Sequence, residues 1–124
     1  MEFDIRGCEN LANAIVKKAF EDYKSCLDYL SNFSLTGDKT TDEAQYNLLI
    51  SYLGRRRNCI NFFKSNRYGK LTSLDYTYVL EKIDAEYFDN WDDYIDFKIK
   101  EISLCDNSDI KNECMQYLSY CKNK

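Results

Sequence analysis

At 124 residues, with 44% hydrophobic, 31% charged and 15% aromatic side chains, the chain is long enough to bury a core without metal or disulfide staples, and its composition excludes a disordered tail. The absence of histidine removes the usual general base and the commonest zinc ligand, while a net charge of −4 opposes general attraction to nucleic-acid phosphates. No proline and only four glycines leave nearly every position open to helix and give the turns to Asn, Asp, Ser and Thr, so the expected fold is all-α: a single compact domain over residues 1–124, of four or five helices, bundle-like in its packing.

Residues 1–7 carry Phe3 and Ile5 ahead of Gly7, a short arm without the basic and apolar regions of a secretion signal. No apolar run approaches the roughly 20 residues that span a bilayer, so no membrane partner is expected and the expected location is a bacterial cytoplasm. In a reducing compartment Cys8, Cys26, Cys59, Cys105, Cys114 and Cys121 read as small core-filling thiols without a disulfide framework.

From Glu9 to about Asn32 the apolar residues Ala12, Ile15, Val16, Ala19, Phe20, Tyr23, Cys26, Leu27 and Leu30 recur at three- and four-residue intervals, the stripe of one amphipathic helix. Asn32–Lys39 reads as a loop turned by Gly37 and Asp38, and Thr40 with Glu43 forms a capping-box pattern for a second helix. Its apolar face runs through Leu49, Tyr52, Leu53, Cys59, Ile60 and Phe63, with Arg56 standing where the period asks for an apolar side chain. Gly54, unfavourable by about 1 kcal/mol inside a helix, suits a close approach of another helix.

The stretch from Arg55 to Lys70 holds six of the seventeen basic residues (Arg55, Arg56, Arg57, Lys64, Arg67, Lys70), the aromatics Phe62, Phe63 and Tyr68, and no carboxylate. It turns through Ser65–Gly69 with room for a short helical turn. Thr72 with Asp75 then caps a third helix carrying Tyr76, Val79, Leu80, Ile83 and Tyr87 on one face. Between Glu81 and Asp96 seven carboxylates meet Lys82 alone, and Tyr87, Phe88, Trp91, Tyr94 and Phe97 are threaded through this acidic run. A break near Asp89 and Asn90 opens a fourth helix ending around Leu104. Asp106–Ser108 forms a polar joint before a last helix, about Asp109 to Lys122, with Ile110, Cys114, Leu118 and Cys121 on one face.

Two stretches, Cys8–Tyr23 and Asn58–Glu86, resemble a group of small uncharacterised helical proteins carried by phages and mobile elements of Clostridium-like bacteria. The resemblance lies in E-N-x-A-N-A-I-V at Glu9–Val16, F-F-K-S at Phe62–Ser65 and L-T-x-x-D-x-x-Y at Leu71–Tyr78, which together cover under half of the chain. It implies a phage or mobile-element product in a bacterial cytosol. The group brings no activity to carry over, and the acidic, aromatic part from Tyr87 onward departs from its pattern.

No C-x-x-C, G-x-G-x-x-G, phosphate loop or G-x-S-x-G occurs, and Asp92 with Asp96 at i, i+4 is the ordinary pattern of a solvated face. The expectation is therefore a non-enzymatic protein without cofactor or metal. Arginine forks pair phosphate oxygens and aromatic faces stack on bases, so Arg55, Arg57, Lys64, Arg67 and Tyr68 are candidates for binding an anion or nucleotide. The alternative for these cations is a basic helix end that steadies acidic neighbours. Arg56 is the candidate for a structural buried charge, paired with Glu9, Asp75 or another carboxylate.

Carboxylates in helical array can imitate nucleic-acid phosphates or dock on a basic nuclease surface, which makes Tyr87, Asp89, Trp91, Asp92, Asp93 and Asp96 candidates for a protein interface. The alternative is an ordinary amphipathic helix with Trp91 in the core. The expected function is that of an anti-defence accessory factor acting by stoichiometric binding, its partner a host defence protein or that protein's nucleotide signal. A nucleic-acid-binding part of a replication or packaging module is the second expectation, and a last helix with apolar area to cover leaves room for a homodimer.

Overall fold

A computed structural model describes residues 5–105 and 108–122, with side chains from 12 to 105 and from 110 to 122. Among the described residues six helices follow in order: α1 (Ile5–Asn32), α2 (Lys39–Phe63), α3 (Asn66–Leu71), α4 (Tyr76–Ala85), α5 (Trp91–Ser103) and α6 (Ser108–Cys121). The architecture is all-helical, with no strand among the described residues. The count exceeds the expected four or five because the turn after α2 closes into a helix of its own. There Ser65 caps α3, its hydroxyl accepting from the Tyr68 N–H. The expected arm is helical from Ile5 onward, while Phe3 lies outside the described residues.

The spine is an antiparallel pair of the two longest helices. Phe20 stacks on Phe63 with ring centroids 4.6 Å apart, and further along α1 Tyr29 stacks on Tyr52 at 4.2 Å. Partner numbers fall on α2 as they rise on α1, which fixes the opposed direction. The turn between them is built around a carboxylate. Asp42 is wholly buried and accepts from the Thr36 N–H at 2.8 Å, the Thr36 hydroxyl at 2.9 Å and the Gly37 N–H at 3.0 Å. Gly37 has φ of 91°, a left-handed conformation open to glycine at little cost.

The cap of α2 is therefore Asp38, whose carboxylate accepts from the Thr41 N–H and hydroxyl, and not the expected Thr40. The cap of α4 is Asp75, which accepts from Thr77, while the expected Thr72 ends α3 instead. Gly54 serves no close approach, since a Cβ added there meets nothing within 4 Å.

Two apolar clusters lie along the spine. One gathers Leu30, Phe33, Leu49 and Leu53 with Tyr94, Ile95, Ile102, Ile110, Cys114 and Leu118, so that α5 and α6 cover the loop end of the α1–α2 pair. The other gathers Val16, Tyr23 and Leu27 with Phe63, Tyr68, Tyr76, Leu80 and Ile83, so that α3 and α4 cover the far end. Phe88, between α4 and α5, packs against both.

The α5 helix is anchored to the spine by polar contacts as well. The Tyr94 hydroxyl donates to the Leu30 carbonyl, and the buried Lys98 ammonium donates to the Phe33 carbonyl at 2.6 Å with Glu101 3.5 Å away. The Leu30 carbonyl also accepts from the Phe33 N–H at 3.3 Å, and Lys98 supplies the donor for the Phe33 carbonyl just past α1.

Candidate functional site

The two charged stretches meet inside the protein. Arg56 is 8% exposed, and its guanidinium lies 3.6 Å from the centre of the Trp91 ring, a cation–π contact strengthened by exclusion of water. Its charge also reaches the buried Tyr23 hydroxyl, which donates to Asp84 at 2.6 Å. The Tyr23–Asp84 pair is thus a neighbour of the Arg56 charge, whereas Asp75 is exposed and occupied as a cap. The side chain of Glu9 lies outside the described residues.

Burial and the bond to Asp84 hold the Tyr23 phenol well above its ordinary range. Burial likewise raises Asp84 above the usual carboxylate value, against the opposing pull of the Tyr23 hydrogen bond and the Arg56 charge. Through these side chains α2 is tied to α1, α4 and α5. The Trp91 Nε1–H continues the chain to α6, donating to the Cys121 carbonyl at 3.1 Å.

The remaining basic residues do not line one pocket. Two residues along a helix turn through about 200°, so Arg55 and Arg57 leave α2 on opposite sides. Arg55 sits 5.0 Å from the Tyr52 ring centre and lines a groove of about 500 Å³ with Asp22, Asn58 and Cys59. Arg57 borders a shallow recess beside Tyr120 and Cys121. Lys64 is exposed at the end of α2, and Arg67 is exposed on α3.

Tyr68 corrects the expectation of a stacking surface. It is 4% exposed, its hydroxyl donates to the Leu74 carbonyl at 2.8 Å, and its ring meets Phe63 edge-on at 5.6 Å. It is a core residue with both its ring and its hydroxyl in use.

The acidic stretch divides differently. Asn90 caps α5, its side-chain oxygen accepting from the Asp92 and Asp93 N–H groups, and so fixes where the following carboxylates point. Glu86 pairs with Lys24 at 3.2 Å, and Asp96 pairs with Lys122 at 2.9 Å, where the charges of Asp92 and Asp93 also reach. Asp89 and Asp93 line a groove of about 310 Å³ together with Tyr87, Phe88 and Phe97. Phe97 is 61% exposed, although it is a large apolar side chain. Tyr87 also borders a wider depression of about 760 Å³ over Lys24, Asp28 and Tyr29.

Trp91 is not an exposed anchor in this surface. It stacks on Tyr94 at 5.2 Å, meets Phe88 at 5.7 Å and takes Arg56 on its ring, which makes it a joint between helices. The exposed anchors are Phe97 and, seven residues on, Leu104 at 78% exposure. Seven residues make nearly two turns, so both stand on one side of α5. That spacing from Asp93 through Phe97 to Leu104 was the available sequence signal for them.

Among the described residues no helix is long and apolar enough to cross a membrane, and no group of three or more His, Cys, Asp or Glu could hold a metal ion. The chain matches no protein-family model, no curated protein and no solved structure.

Proposed function

We propose that the chain is a non-enzymatic accessory protein of a phage or mobile element, an anti-defence factor that acts by stoichiometric binding to a host immune protein. The working surface in this reading is the groove beside Phe97. The observation that carries it is a Phe 61% exposed next to Asp89 and Asp93, with Tyr87 and Phe88 alongside. An aromatic anchor flanked by carboxylates suits a basic protein surface with an apolar notch, such as the nucleic-acid channel of a nuclease. The capture of a nucleotide signal has less support, because Arg55 and Arg57 diverge and Tyr68 is buried.

The test is phage plating on bacterial strains that each carry one nuclease-based defence system, with and without the protein. Restored plaquing in one strain is expected, followed by one-to-one binding to that strain's nuclease in calorimetry. Native mass spectrometry showing a co-purified nucleotide, with no binding to any nuclease tested, would overturn the protein-target reading.

A further inference from the structure

The antiparallel α1–α2 pair sets Cys26 and Cys59 against each other on the wall of the groove that Arg55 lines. The two thiols stand near enough to influence each other's ionisation across that wall. Cys26 is 2% exposed, whereas Cys59 is half-buried and borders both this groove and a second one of about 280 Å³. Both are free thiols.

Their environments separate them chemically. The neighbouring Cys59 and burial hold the Cys26 thiol above its ordinary value, whereas Cys59 is open to two grooves and can be reached by a small molecule. A reachable sulfur backed by a sheltered second thiol on the wall of the same groove is an arrangement that suits disulfide exchange. Arg55 lies one turn before Cys59 on α2 and brings a positive charge to the same groove.

We propose that Cys26 and Cys59 form a thiol–disulfide exchange site, with Cys59 as the attacking sulfur and small carboxylate-bearing disulfides of the glutathione class as the oxidant. The Cys59 thiolate attacks one sulfur of the small disulfide; a mixed disulfide forms, and one small thiolate leaves. Cys26 then gives its proton to that thiolate and attacks the Cys59 sulfur, and the second small thiolate leaves and is protonated from water. The protein dithiol loses two electrons and becomes a Cys26–Cys59 disulfide, while one small disulfide is reduced to two thiols. Arg55 receives a carboxylate of the oxidant, and the product is a covalent link between the two spine helices. This site is separate from the groove beside Phe97.

The experiment exposes the full chain to glutathione disulfide, blocks remaining thiols with N-ethylmaleimide and maps the products by mass spectrometry. The wild type is expected to show a peptide pair linked through Cys26 and Cys59. Cys26→Ser is expected to trap glutathione on Cys59, and Cys59→Ser to leave Cys26 unmodified. Arg55→Glu is expected to slow oxidation by glutathione disulfide roughly tenfold while sparing oxidation by neutral hydroxyethyl disulfide.

A wild type that takes glutathione on Cys105 without a Cys26–Cys59 link overturns the proposal, as does an adduct in Cys26→Ser that avoids Cys59. Equal rates for both oxidants in Arg55→Glu and wild type overturn the choice of oxidant. The unmodified protein supplies a check that no substitution can confound: phenylarsine oxide, which bridges two neighbouring thiols, should block both cysteines with one equivalent. Failure to block them overturns the pairing.

Discussion

The stretches Arg55–Lys70 and Glu81–Asp96 carry opposite charge, and each turns one member inward toward the same tyrosine. The charges of Arg56 and Asp84 both bear on Tyr23, Arg56 buried and Asp84 half-buried. Outside that contact the two stretches part company. The cations on α2 and α3 scatter because successive positions on a helix face different ways, whereas a sharp cap at Asn90 gathers Asp89 and Asp93 with exposed Phe97 around one groove. Charge density in a sequence is thus a poor guide to a binding surface. What converts it into one is a backbone feature that holds several side chains on the same side.

The largest expected effect tests the inward contact. Arg56→Ala removes the positive member of a buried group and uncovers the Trp91 ring, and should cost about 3–5 kcal/mol in urea denaturation. Arg55→Ala, one residue away but exposed, should stay within about 0.5 kcal/mol of wild type. Similar losses for the two variants would mean that Arg56 is not set apart from its neighbours.

A smaller effect of opposite sign is expected immediately before the basic stretch. Gly54 is helical and an added Cβ has open space, so Gly54→Ala should raise stability by about 1 kcal/mol. A loss there would show that α2 approaches a neighbour at Gly54 after all.

The smallest effect concerns acid. Hydrogen bonds from Thr41 and Thr77 hold the exposed cap carboxylates Asp38 and Asp75 below their ordinary value of 3.8. A depressed carboxylate contributes stability that is present above 3.8 and is lost as pH falls through its folded value. Asp84 runs the other way: raised by burial, it favours folding once protonated and loses that contribution as pH rises through its folded value. Amide exchange followed from pH 5 downward should therefore show the first turns of α2 and α4 opening while Tyr23 and its surroundings stay protected. Loss of the Tyr23 region first would reverse this ordering.

The helices were legible in the sequence because three- and four-residue spacing of Val16, Tyr23, Leu27 and Leu30 admits little else. The break at Asn90 and the gap filled by Arg56 were legible for the same reason. The caps were not, because Asp38 and Thr40 both carry cap chemistry, and the choice fell to Asp42, whose burial ties it to Thr36 and Gly37. The surroundings of Arg56 were hidden because Tyr23, Asp84 and Trp91 come to it from other helices.

Tyr68 looked like part of a basic patch from its neighbours in sequence, but α3 folds it back onto Phe63. Of the interface candidates, Tyr87, Asp89 and Asp93 come together, Asp96 pairs with Lys122, and Trp91 turns inward. Phe97 was present in the aromatic run, yet only its exposure distinguishes it from the ring residues that pack.

The most direct test places the two stretches in competition within one inhibition assay against the nuclease identified by plating. One variant carries Asp89→Asn, Asp93→Asn and Phe97→Ala; the other carries Arg55→Gln, Arg57→Gln, Lys64→Gln and Arg67→Gln. With both shown to be folded by circular dichroism, the first should lose inhibition and the second should keep it. Inhibition that survives in the first and vanishes in the second would contradict the acidic groove as the working surface and return that role to the basic stretch.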